Sequence, residues 1–125
     1  MRLQHFHISE FDSPDEPGSG AGMSRKFLRM LDEARGIANV PFVITSGFRT
    51  PQHQKTLQAR GYKTSDTSSH LIGVAADISC TTSAKRYRIL AALIAVGFTR
   101  IGIADTFIHC DIDTTKTPGV AWTYA

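Results

Sequence analysis

The sequence predicts an α+β domain in which a mainly antiparallel sheet carries helices packed on one face. Three observations lead there. Apolar residues recur at helical spacing in two segments, each opened by a capping residue. Short apolar runs bounded by turn residues lie between and after them. The length, 125 residues, suits one core and is too short for two, so residues 1–125 are read as a single domain.

Taken in order, residues 5–9 (His-Phe-His-Ile-Ser) suit a short edge strand, and residues 12–22 form a Gly-, Pro- and Asp-rich loop without hydrophobic period. Phe27, Leu31, Ala34 and Ala38 then mark a helix capped by Ser24 and ending near residues 36–39. Residues 41–46 are a short apolar run that favours a strand. Thr50 caps the next helix, with Pro51 at its first position and Gly61 at its end. Residues 73–79, small and apolar, fit a central strand with Asp77 toward its far end. Ser83 is the expected cap of a third helix, whose Tyr87, Leu90, Ala91 and Ile94 line one face and which stops at Gly97. Residues 99–103 and 106–112 flank Ala104 and Asp105, which suggests a hairpin with a two-residue turn.

The composition, 42% hydrophobic and 20% charged, is that of a globular chain and excludes a disordered or fibrous one. A net charge of +3 favours an anionic partner such as cell-wall polymer, a membrane surface or nucleic acid. The densest basic group, Lys85, Arg86 and Arg88, reads as a solvated helix face, and no aromatic and basic interleaving of the kind that stacks bases is present, so nucleic acid is not expected. No run approaches the roughly 18 apolar residues of a membrane span. The segment Met1-Arg2-Leu3-Gln4-His5 lacks the apolar stretch of a secretory signal, so the chain is expected to be made in the cytoplasm as a monomer without membrane insertion, reaching an outside target only on release. Cys80 and Cys110 do not make a disulfide framework. Strand alternation points both away from Asp77 and His109, so they read as buried thiols, with a bond across neighbouring strands as the alternative.

His70, Asp77 and His109 can supply two nitrogens and one oxygen, the ligand set of a catalytic zinc site with its fourth position open. Spacing alone is weak support, because five histidines and eleven acidic residues offer many such triples. The neighbours add to it. Gly73, Ala75 and Ala76 suit close backbone approach and leave little apolar bulk to bury an imidazole. Asp77, within the run Val74-Ala75-Ala76-Asp77-Ile78, would be a buried carboxylate, which is costly unless paired or metal-bound. His5, His7 and His53 lack such neighbours and are read as surface or packing residues.

The pattern Ser68-x-His70-x-x-Gly73-x-Ala75-x-Asp77 resembles, position for position, the signature of the zinc D-Ala-D-Ala peptidases and their relatives, among them L-alanyl-D-glutamate endopeptidases of phage endolysins and the metal-binding fold of hedgehog domains. Ser46-Gly47-Phe48-Arg49-Thr50 resembles that family's Ser-Gly-Tyr-Arg-Ser element, Phe107-Ile108-His109-Cys110-Asp111 its closing Phe-Val-His-Val-Asp, and the loop from Phe11 to Gly20 its minimal single-domain members. The resemblance runs from about residue 5 to residue 113. It implies that His70, Asp77 and His109 hold Zn2+ and that Arg49 orients a substrate carboxylate or carbonyl. The chemistry of Arg49 agrees: a guanidinium just after a strand end can grip a carboxylate with two parallel hydrogen bonds, a surface salt bridge being the alternative. Ser68 is expected to hydrogen-bond substrate or the site loop, or to serve the turn. Many relatives carry an acid three residues before the last histidine or a second histidine two before it; here Thr106 and Phe107 stand there. Asp105 is therefore the first choice for the carboxylate that takes a proton from the attacking water, and Asp111 the second, with orienting His109 as its competing role. The implied activity is zinc-dependent cleavage of peptidoglycan stem peptides, as a D-Ala-D-Ala carboxypeptidase or an L-Ala-D-Glu endopeptidase, in phage or prophage lysis. The missing acid keeps a second class open, a catalytically inactive zinc-containing module that binds wall fragments or another protein.

Overall fold

A computed structural model describes residues 2–62 and 64–124. Ser24 opens the first helix, α1 (Arg25–Ala38), by accepting the Phe27 N–H at 3.2 Å, and Asn39 closes it in the left-handed conformation at φ 54°. Thr50 opens α2 (Pro51–Ala59) in the same way, accepting the His53 N–H at 3.1 Å with Pro51 in the first turn. The third helix, α3 (Ser83–Val96), starts one residue earlier in its cap than expected: Thr82, not Ser83, accepts the Lys85 N–H.

Five strands make one sheet: β1 (Ile44–Ser46), β2 (Ala75–Ser79), β3 (Arg100–Ile103), β4 (Phe107–Asp111) and β5 (Val120–Thr123), in the order β1-β2-β4-β3-β5. The pairings are antiparallel except β3 with β5, which run parallel. The α+β architecture with a mainly antiparallel sheet is as expected. β5 was not anticipated.

Alternation divides the sheet into two faces. Ala76, Ile78, Ile101, Ile108 and Cys110 join Phe27, Leu31 and Leu93 of α1 and α3 in the buried core. The opposite face carries a single row of registered residues across all five strands: Ser46, Asp77, His109, Gly102 and Trp122. α2 does not join the core layer but borders that second face, where its His53 and Leu57 line a pocket.

Two local expectations are corrected. Residues 5–9 form no strand; Asp32 accepts from the N–H groups of Gln4 and His5 and Glu10 from that of His7, and the chain turns into a 3-10 segment at Ile8–Phe11. The hairpin between β3 and β4 uses three connecting residues, 104–106, rather than two. Cys80 and Cys110 are buried free thiols. The register sets Cys110 opposite Ala76 and the Cys80 N–H on Thr106, four residues along β4, which separates them by about 13 Å, beyond disulfide reach.

Candidate metal centre

His70 belongs to a short 3-10 segment, Ser69–Ile72, whose cap is Ser68; the Ser68 hydroxyl accepts the His70 N–H at 3.3 Å. The ring's Nδ1 lies 2.8 Å from the Gly47 carbonyl, which only accepts, so Nδ1 carries the proton. That leaves the Nε2 lone pair facing Asp77 Oδ1 at 3.4 Å. On the paired strand, His109 Nε2 donates to Asp111 Oδ2 at 2.7 Å, and its Nδ1 faces Asp77 Oδ1 at 2.9 Å. Ligand atoms of His70, Asp77 and His109 all lie within 4.8 Å of one another. Two imidazole nitrogens and a carboxylate oxygen thus converge on one point, with the outer nitrogen of each imidazole already hydrogen-bonded. Such a donor set fits a divalent metal of the zinc type, with the oriented histidines that metal sites require.

Charges follow from the surroundings. Burial pushes the His70 imidazole below its ordinary pKa, keeping it neutral and able to coordinate. Burial alone would raise the Asp77 carboxyl, but its close contacts with the His109 and His70 imidazoles outweigh it and hold the group well below the usual range. Burial also lowers His109, yet its bonds to Asp111 and Asp77 win and raise it.

The cluster lies in an open pocket of about 510 Å³. Arg49 lines it, with Nε donating to Ser46 Oγ at 2.9 Å, one terminal nitrogen 3.5 Å from Gln54 Oε1 and the other 3.6 Å from Asp77 Oδ2. Gln54 is itself buried and tied to the Ser65 carbonyl at 2.7 Å, so α2 fixes the guanidinium plane. Ser68 also lines the pocket. Asp111 is buried and fully engaged: beyond His109, its Oδ1 accepts from Arg100 Nε at 2.8 Å and from the Asp113 N–H at 3.0 Å. Asp105 is a different case. The first-choice proton acceptor sits exposed on the β3–β4 turn, outside the pocket lining.

Sequence reasoning passed over several pocket residues: His53 on α2, Lys116, and Trp122 and Tyr124 at the end of the chain. A usable signal was there. Gly102 in a strand interior marks close approach, and Val120, Trp122 and Tyr124 alternate after Gly119 as strand residues do.

A protein-family model described as Peptidase M15 matches residues 4–111. The chain belongs to the M15 peptidase family. The match takes in all three clustered residues and Arg49 and stops at Asp111. Among solved structures, the L-Ala D-Glu endopeptidase ChiX of Serratia marcescens superposes with a TM-score of 0.53 and 22% identity over 61% of this chain, spanning 62% of its own. That likeness shows the shared M15-type fold. The search of curated proteins gives no match.

Proposed function

We propose that the chain is a zinc-dependent peptidase that cleaves peptidoglycan stem peptides. The observation that carries this reading is the convergence of His70, Asp77 and His109 within 4.8 Å in an open pocket that also holds Arg49. Membership of the M15 family supports peptidase chemistry, and the basic charge of +3 suits an anionic wall. When bound, zinc supplies Lewis acidity, activating water and polarising the carbonyl under attack.

The chain's own groups have separate tasks in this reading. Arg49 holds the substrate carbonyl or a neighbouring carboxylate. Its fork is set by Ser46 and Gln54, so little orientational freedom is lost on binding. Asp111 acts as a positioning residue, fixing the tautomer of His109 through Nε2. Ser68 shapes the loop from which His70 projects. We favour the L-Ala-D-Glu bond over D-Ala-D-Ala because the structural neighbour carries that activity in its name. The setting we propose is wall lysis by a phage or prophage.

Digestion of purified peptidoglycan with zinc-loaded protein, followed by mass analysis, tests the reading. New amino termini on D-Glu identify the endopeptidase, and release of D-Ala the carboxypeptidase. Zinc bound without release of any fragment returns the chain to the binding-module class, a reading favoured by one observation: Asp105 lies outside the pocket lining and Asp111 is already engaged by His109 and Arg100.

A further inference from the structure

β5 lies beyond the stretch that the family model matches, yet it and the residue after it supply two pocket residues, Trp122 and Tyr124. Gly102 makes room for both. A Cβ there would stand 2.7 Å from Trp122 Nε1 and 2.9 Å from Tyr124 Cε2. Because Gly102 pairs with His109 on one side and Trp122 on the other, the two aromatic rings lie across the strand beside a candidate metal ligand. Trp122 is seated with its ring 5.5 Å from that of His109 and the Arg100 guanidinium 5.1 Å from its centroid, a cation–π contact.

Tyr124 follows two residues on, and its ring rests against Phe107 at 5.1 Å. It is 45% exposed, so the phenol is reachable by a ligand in the pocket. Partial burial pushes the phenol above its ordinary pKa; a hydrogen bond with the Trp122 side chain opposes the shift, the charges of Asp77 and Asp111 add to it, and Arg49 opposes it. The hydroxyl therefore keeps its proton at neutral pH.

We propose that Tyr124 is a further catalytic residue whose phenol O–H donates a hydrogen bond to the carbonyl oxygen of the scissile peptide as that oxygen gains negative charge, sharing it with Arg49. The inference rests on the hydrolase reading above. No bond to Tyr124 forms or breaks: the hydrogen bond strengthens as charge gathers on the oxygen, and relaxes when the C–N bond breaks and the carbonyl reforms. Trp122 and Phe107 hold the phenol in place, and Gly102 leaves the space it occupies. A donor aimed at developing charge acts on the transition state more than on the bound substrate, so its loss falls on kcat rather than KM.

Tyr124→Phe keeps the ring and its Phe107 contact and removes only the hydroxyl. In zinc-loaded protein, kcat on a stem peptide should fall by about 10²–10³-fold with KM within about two-fold of wild type. Affinity for a phosphinate analogue of the stem peptide, whose P–O⁻ mimics the charged oxygen, should fall about ten-fold or more in calorimetry. Zinc content should match wild type, showing that the metal site is intact. Unchanged kcat and unchanged phosphinate affinity would overturn the proposal and leave Tyr124 as an apolar wall. The two readings separate cleanly. A zinc-bound wild type that cleaves nothing sinks the hydrolase, whereas Tyr124 is judged by the phosphinate titration: tighter binding by wild type than by Tyr124→Phe supports it, and equal or absent binding overturns it.

Discussion

Asp111 Oδ2 stands 2.7 Å from His109 Nε2, two residues away on the same strand face, and the contact determines which histidine nitrogen would be open to a metal. The carboxylate only accepts, so Nε2 keeps its proton and Nδ1 turns to Asp77. With Arg100 and the Asp113 N–H on its other oxygen, Asp111 is held firmly in place where it lines the pocket.

Asp111→Asn should accordingly weaken zinc binding by roughly 10–100-fold, the usual effect of losing a partner behind a ligating histidine. Asp105→Asn should leave both metal affinity and turnover at wild-type values. Competition against a chelator and a stem-peptide assay check the pair. Loss of turnover in Asp105→Asn with its zinc retained would reinstate that residue as the proton acceptor.

Purified protein is expected to carry about one zinc per chain, and His70→Ala or His109→Ala to lose most of it, since an open site with three protein ligands rarely survives on two. Plasma emission analysis reads the metal. Full retention in both variants rules out the cluster as its binding site.

Arg49→Lys should lower kcat/KM by about ten-fold or more while zinc content stays unchanged, because an ammonium cannot reproduce a planar fork held by Ser46 and Gln54. An unaltered kcat/KM would reduce Arg49 to a structural partner of Asp77.

Asp113 provides a pH test away from the metal ligands. Burial alone would raise its carboxyl, but bonds from Ser69 and Thr115 bring it down to about 2. The folded value lies below the unfolded one, so the group's stabilising contribution is fully present above about pH 4 and is lost as pH falls through about 2. Denaturation midpoints of wild type and Asp113→Asn should therefore differ at pH 5 and approach each other on acidification. A constant difference would refute the linkage.

Gly102→Ala should destabilise the fold by about 1–3 kcal/mol through overpacking against Trp122 and Tyr124. Trp122 is the single tryptophan, so its emission reports the displacement directly. Unchanged emission and stability would mean that β5 does not lie across Gly102.

Much of this architecture could be read before any coordinates. Caps at Ser24 and Thr50, Pro51 in a first turn and alternation around Asp77 and His109 are local devices, and local chemistry stays legible in a single chain. What escaped depends on partners distant in sequence. Residues 5–9 have a strand-like composition, but the Asp32 carboxylate takes up two of the nearby backbone donors. Asp105 and Asp111 look equivalent as carboxylates near His109; Arg100 and the strand register distinguish them. β5 is short, parallel and follows a turn, so only its pairing with β3 reveals that Trp122 reaches the same row as the ligands.

That transverse row from Ser46 to Trp122 also bears on how the molecule assembles. Asp77 and His109 are 32 residues apart and become neighbours only when β2 and β4 have zipped in register. A one-residue slip would turn either ligand into the core face. Pairing of this kind closes large loops before it is rewarded, which places the sheet late and slow on the folding route. A metal held by these residues would then be captured after the chain has found its register, acting as a lock on a completed sheet and not as the seed that starts it.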